Sequence, residues 1–268
     1  MTLYLADVTR QTARLVTRTV IGVNSATGTS TQLIDAANLA GFPDNQFVGG
    51  TVWVTSGTNA GLSRVVTAFS DSLDRITHAG LPGNTGSGAT FEVAAADFVE
   101  YRDLRQAANL ALREYGKILD KNDTLAIVDD QLVYTLPSGV ANVEKIEVMY
   151  NLGDADERRQ INTHWEEIEG KLVFEYTREP TTLDGEYIRI WYRTFAAELT
   201  ADTSAVDEQI DEEYLIYLAA RQAMRLSYKR FGKAGAETIP EWLNEAIEEA
   251  KKHVRARLYE PYIRTRTA

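Results

Sequence analysis

The sequence predicts an α+β protein. An N-terminal small antiparallel β barrel or sandwich module comes first, followed by a bundle of three long helices with an antiparallel β-sheet inserted between the first helix and the other two. Three observations predict it. Residues 14–95 alternate short β-branched runs with turn chemistry at close spacing. At Asp97 the apolar period changes abruptly from two to between three and four. Beyond Asp211 two further helical stripes close the chain.

The β module spans residues 1–96. Its strand candidates are Leu15 to Val23, Thr51 to Thr55, Ser63 to Phe69, Arg75 to His78 and Thr90 to Val93. Between them lie NSATGTST, SGTNAG, FSDSLD and GLPGNTGSGA, rich in residues that favour turns. The stretch GGTVWVTSGTNAGLSRVVTAF, Gly49 to Phe69, has enough glycine to suggest a phosphate cradle. A cradle needs a helix start behind its glycines and, in the P-loop form, a lysine after the last one. Here the glycines lead into Leu62-Ser63-Arg64-Val65-Val66, and before them Val52 and Val54 fall on one face while Thr51, Trp53 and Thr55 fall on the other. That is the period of a hairpin.

The second domain is expected over residues 97–259. Asp97 and Glu100 have capping-box spacing. A stripe then runs from Phe98, Tyr101 and Leu104 through Ala108, Ala111, Leu112 and Tyr115 to Ile118 and Leu119, predicting a long helix that ends near Asp120 to Asp123. The inserted sheet, about 125–200, is read from Gln131 to Pro137, Val143 to Tyr150, Leu172 to Tyr176 and Tyr187 to Tyr192, with a short helix around Trp165 and a loop from Thr177 to Gly185. Asp211 to Arg230 carries Leu215, Leu218, Ala219, Ala223 and Leu226 on one side, with Gly232 and Gly235 after it. Thr238 and Glu241 open the last helix, whose stripe is Leu243, Ala246, Ile247, Ala250, Val254 and Leu258. Pro261 is expected to stop it, leaving residues 260–268 as an extended tail.

Charge and composition narrow the function. The chain carries −11, which argues against a general nucleic-acid clamp. From Lys251 onward six cations stand against Glu260 alone, a net of +5, so the preceding residues carry −16. There is no cysteine, so neither a disulfide framework nor a thiolate metal site can form. No segment approaches the apolar length of a membrane span, and a soluble protein is expected. His78, His164 and His253 have no spacing that converges on a metal, and His78 reads as a satisfied surface histidine. Asp129-Asp130 and Glu166-Glu167 are neighbours whose side chains point apart in a strand, and Asp207 to Glu213 reads as an acidic helix start. No catalytic residue, metal or cofactor is therefore expected, and the chain is read as a non-enzyme. Tyr259, Tyr262 and Ile263 beside Arg264 and Arg266 have the residue types that dominate interfaces, so this end is either a partner-binding tail or a frayed terminus.

The order of elements carries a resemblance. VYTLPSGVANVEKIEVMY, followed by REPTTLDGEYIRIWYRTFAAELTADTSAVDEQIDEEYLIYLAARQAMRLSYKRFG, resembles the head–tail connector (adaptor) proteins of tailed bacteriophages, of the tail tubular protein A type. The likeness lies in a long first helix, a strand ending in a Leu-Pro turn, the DGEYIRIWY strand, an acidic "LT-D" connection and a helix opening on Glu-Tyr. It covers about Asp97 to Tyr259, and the β module ahead of the first helix departs from it. The resemblance implies a virion protein assembled in the host bacterial cytoplasm: a homo-oligomeric ring, dodecameric, between the portal protein and a tail-side neck or tail protein. Double-stranded DNA would pass through it without sequence-specific binding. It also implies that the tail carrying Tyr259, Tyr262, Ile263, Arg264 and Arg266 docks on the portal. The alternative is a carbohydrate- or host-surface-binding β module, for which Trp53 beside SGTNAG is the only support.

Overall fold

The computed structural model describes residues 2–26, 29–96, 98–128, 131–149, 158–160, 165–174, 187–231 and 239–263, with the backbone alone at 148–149, 158–160, 229–231 and 255–263. Contacts divide the chain into a body, Met1–Tyr115 with Ala197–Ala268, and an insert, Gly116–Ala196. The division falls at either side of the insert rather than near residue 96, because strands of the β module share a core with the helices of the body.

The body opens with α1 (Leu5–Val16) and then builds β1 (Thr19–Val23), β2 (Gln32–Ile34), β3 (Thr51–Val54), β4 (Leu62–Ser70), β5 (Arg75–His78) and β6 (Thr90–Ala94), with a single 3-10 turn at Asp71–Leu73. The strands form one antiparallel sheet in the order β1-β6-β3-β4-β5-β2. The hairpin read from the sequence is present, with Thr51 opposite Val65 and Val54 opposite Leu62. Side chains that alternate inward from these strands, among them Leu33, Val52, Val66, Ile76, Phe91 and Val93, meet in one buried cluster. The sheet curls until its two ends come together: Ser25 N–H donates to the Ile34 carbonyl (2.8 Å) and Val23 N–H to the Asp35 carboxylate (2.6 Å). The other face of β3 is buried too, since Trp53 packs in a second cluster with Ala6 and Ala13 of α1, Leu104 and Ala107 of α2 (Tyr101–Tyr115) and Ala223 of α3 (Glu212–Phe231). The last helix, α4 (Glu241–Ile263), lies against α3 and buries Leu243, Ile247, Ala250 and Val254.

The insert is all β among the described residues. A four-stranded antiparallel sheet has the order β10-β9-β13-β7, formed by Arg158–Gln160, Val143–Met149, Tyr187–Phe195 and Lys117–Ala126. A second sheet, β11-β12-β8, consists of Trp165–Ile168, Lys171–Phe174 and Val133–Thr135. Ile146, Ile188 and Ile190 from the first and Tyr134, Leu172 and Phe174 from the second share one apolar cluster.

The fold class is α+β, but the bundle of three long helices is corrected. Four helices are present among the described residues, and the first two have 12 and 15 residues. The sequence reading assigned no element to Leu5–Arg14, where buried Thr9 and Thr12 interrupt the apolar stripe and hide α1. The helix expected from Asp97 to beyond Leu119 is shorter at both ends. It begins at Tyr101, and Gly116, in the left-handed region (φ 101), ends it, after which Ile118 and Leu119 belong to β7. Trp165 lies in a strand rather than a helix, because a two-residue turn at Glu169–Gly170 returns β11 onto β12. The end of the chain differs as well: α4 continues through Pro261 to Ile263, where the missing N–H forfeits only one bond of the final turn. Asp97, Thr177 to Gly185, Gly232, Gly235 and Thr238 lie outside the described residues.

Candidate functional site

A highly bonded polar centre of the body grows from the segment Leu199–Asp202, within the acidic connection between β13 and α3. Asp202 is 7% exposed. Its Oδ2 accepts from the Ser63 N–H (2.8 Å) and an Arg64 guanidinium N–H (3.1 Å), and its Oδ1 accepts from the Ser63 hydroxyl (2.8 Å) and from Arg105. Both oxygens are thus saturated, which is what allows a carboxylate to be buried. Arg105 also donates to the Thr200 carbonyl (2.8 Å), and one helical turn on Asn109 exchanges two hydrogen bonds with the Leu199 backbone (2.8 and 3.0 Å). Asp202 and the residues just after it also bind the N-terminal chain: Ala6 N–H donates to the Asp202 carbonyl, Leu5 N–H donates to the Ser204 carbonyl, and Val206 N–H donates to the Leu3 carbonyl. One short connection therefore holds a barrel strand, α1 and α2 together.

A second polar contact joins α1 to the barrel. Arg14 donates from two nitrogens to Glu92 of β6 (2.7 to 3.1 Å), whose carboxylate is almost fully buried. The pairing raises the Arg14 pKa, mainly through the hydrogen bonds to Glu92, against the opposing pull of burial. Arg14 also borders a polar cleft of about 630 Å³ between α1 and α3, along with Leu15, Glu212, Glu213, Ile216 and Tyr217. Gln11 spans it with a 2.8 Å bond to Glu212, and the Tyr217 hydroxyl donates to Glu213 (2.9 Å), which raises the tyrosine pKa. Trp53 lies beneath α1, 2% exposed, with its indole N–H donating to Thr9 Oγ1 (3.0 Å). Its ring is not available to stack on a sugar, so the observation behind the glycan-binding alternative is removed.

The residues named from sequence are dispersed. Tyr259, Tyr262 and Ile263 belong to the last turns of α4, while Arg264 and Arg266 lie outside the described residues, as do His164, Asp129 and Asp130. His78 is not a surface residue but 2% exposed, with its Nδ1 2.7 Å from the Ala79 carbonyl. Burial is the main cause of its lowered pKa; the Ala79 carbonyl pulls the other way and Arg64 adds to the lowering. His253 is exposed on α4, 3.9 Å from Glu249. Glu167 accepts the backbone N–H groups of Asn142 and Val143, and Asp211 caps α3 through Tyr214 N–H (3.0 Å), in the acidic helix start expected there. Among the described residues no group of three or more His, Asp or Glu side chains could hold a metal ion, and no helix is long and apolar enough to cross a membrane. No known protein family matches the chain, and no curated protein is similar to it. Sequence reasoning missed Asp202 as a centre. Its only signal was its place in the acidic connection, because Ser63 and Arg105 are far away in the chain.

Proposed function

We propose that this chain is a structural subunit of the head–tail adaptor kind. In this reading it forms a homo-oligomeric ring, dodecameric, between a portal protein and a tail-side neck or tail protein of a tailed phage, and it is assembled in the host cytoplasm and retained in the virion. The observation that carries the reading is the order of phrases from the Leu-Pro turn through DGEYIRIWY and the acidic connection to the Glu-Tyr start of α3. The bonding of that connection supports it. An adaptor subunit must transmit load between its partners without coming apart, and Leu199–Asp202 ties a β module to the helices through the bonds that saturate the buried Asp202 carboxylate. The acidic balance suits a channel through which DNA slides, since like charge withholds the counterion release that would make duplex stick.

The test is native mass spectrometry of the full chain with purified portal. Ring-sized assemblies that add to the portal are the expected result, and a monomer that ignores it overturns the reading. Two truncations locate the contact. Deletion from Arg264 removes both arginines of the tail beyond α4, and deletion from Glu260 removes the final helical residues as well. Loss of portal binding in the first places the contact in the arginines, and loss only in the second places it in Tyr262 and Ile263. A gel shift on duplex DNA at about 0.1 M salt, where screening acts over roughly 10 Å, would contradict the sliding channel.

A further inference from the structure

The curled sheet of the body is not closed along its whole seam. β1 and β2 are its two ends, and they are joined where Ser25 bonds Ile34 and Val23 bonds Asp35. Val23 directs its N–H away from β6, and Asn24 directs its own toward Ala89, at the end of the β6 side. By strand alternation Thr19 and Ile21 also direct their N–H and C=O groups away from β6. On that side neither has a hydrogen-bond partner among the described residues. Ile21 is also the most exposed large apolar side chain among them, at 61%, with Val23 at 43% beside it on the same face.

Along this open stretch runs a cleft of about 480 Å³. Arg18 and Val20 form one wall, and Phe42, Pro43, Gln46 and Phe47 the other. The Arg18 guanidinium lies over the Phe42 ring, 5.2 Å from its centroid, and has no ion pair among the described residues. The contrast with the edge of β7 is informative. There the Asp120 side chain accepts the Lys121 N–H and the Asn122 side chain accepts the Thr124 N–H, so the edge is capped from within. Among the described residues β1 has such a guard only at Val23.

We propose that the open edge of β1 is a docking site for an extended segment of another protein, which adds to Thr19–Ile21 as a further antiparallel or parallel strand. Alternate side chains of that segment cover Ile21 and Val23 on one face and enter the cleft on the other. The strand carries a carboxylate on its cleft-facing side, because Arg18 is the one cation lining the cleft and is unpaired among the described residues. Backbone bonds to the edge supply affinity, and the cleft selects the side chain. The proposal does not rest on the ring reading.

The probe is the acetylated, amidated heptapeptide Ser-Val-Thr-Val-Glu-Val-Ser, compared with the same peptide bearing lysine in place of glutamate. Titrated into the full chain, the glutamate peptide is expected to slow hydrogen exchange at the Thr19 and Ile21 amides at least about tenfold at saturation. The lysine peptide binds about tenfold more weakly. Arg18→Glu reverses that preference, and Ile21→Lys, at an exposed position, abolishes binding while leaving the urea midpoint unchanged. No saturable binding at millimolar peptide, or binding that leaves Thr19 and Ile21 exchange unaltered, overturns the docking site. Equal binding of both peptides overturns the role of Arg18.

Discussion

The body and the insert solve the same problem differently. Each has an apolar core, but in the body the elements are also bound by buried charges from distant parts of the sequence: Asp202 to Ser63, Arg64 and Arg105, and Glu92 to Arg14. In the insert the ion pairs among the described residues stay within one sheet: Arg189 with Asp123 and Arg193 with Glu144 link neighbouring strands, and Lys145 pairs with Glu147 along β9. A cross-strand pair adds to hydrogen bonds that already hold its strands together. A buried carboxylate at a junction is a dependency, since removing it leaves several donors without a partner. The body should therefore be fragile at a few polar atoms, and the insert at its apolar ones.

That contrast can be broken by experiment. Asp202→Ala should destabilise the body by about 3–5 kcal/mol, because Ser63 and two guanidinium groups lose their acceptor. Trp53 and Trp242 report on the body and Trp165 and Trp191 on the insert, so urea unfolding of single-tryptophan variants separates the two. An equal loss in the insert would show one cooperative unit and end the comparison. Leu172→Ala, at a fully buried position of the insert, should cost about 3 kcal/mol there through its cavity. Gly50→Ala should cost about 1–3 kcal/mol in the body, since the added Cβ would lie 2.0 Å from the Ala94 carbonyl oxygen and the backbone must shift.

Smaller, graded effects should follow from pH. His78 is held below its ordinary value of 6.5, so as pH falls the unfolded chain takes up the proton first. The body then loses stability from about pH 6.5 downward to the folded value, and none above that window. His78→Gln should flatten the urea midpoint between pH 7.5 and 5.5; an unchanged slope would assign the effect elsewhere. Asp35 acts in more acid solution. Burial, its largest influence, pushes it up, but bonds from Asn38, Val23 and Ala37 together hold it below its ordinary 3.8. Its stabilisation is present above that value and is lost as pH falls through the folded one. Smallest of all, Arg193→Ala in the insert should change stability by about 0.5 kcal/mol, because both partners are substantially exposed. A loss near that of Asp202→Ala would erase the distinction between junction charges and cross-strand charges.

The sequence by itself determined the elements whose burial follows a simple period. In β5 and along the apolar stripe of α3, local pattern and tertiary burial agree, and the Thr51–Ser70 hairpin and β13 were legible from their alternation even though β3 is buried on both faces and β13 also buries Arg189. It also located the acidic connection, as a phrase without a known partner. Tertiary structure decided the rest. Leu5–Val16 became a helix whose inner face includes Thr9 and Thr12, packed over β3, where Thr9 accepts the Trp53 indole N–H. Ile118 and Leu119 continue a helical period in sequence, yet pairing with Thr194 and Arg193 made them a strand. Asp202 gained its place from Ser63 and Arg105, which lie 139 and 97 residues away. No local period encodes a partner at that distance. Chain closure alone brings the groups together, and their burial then makes the bonds indispensable.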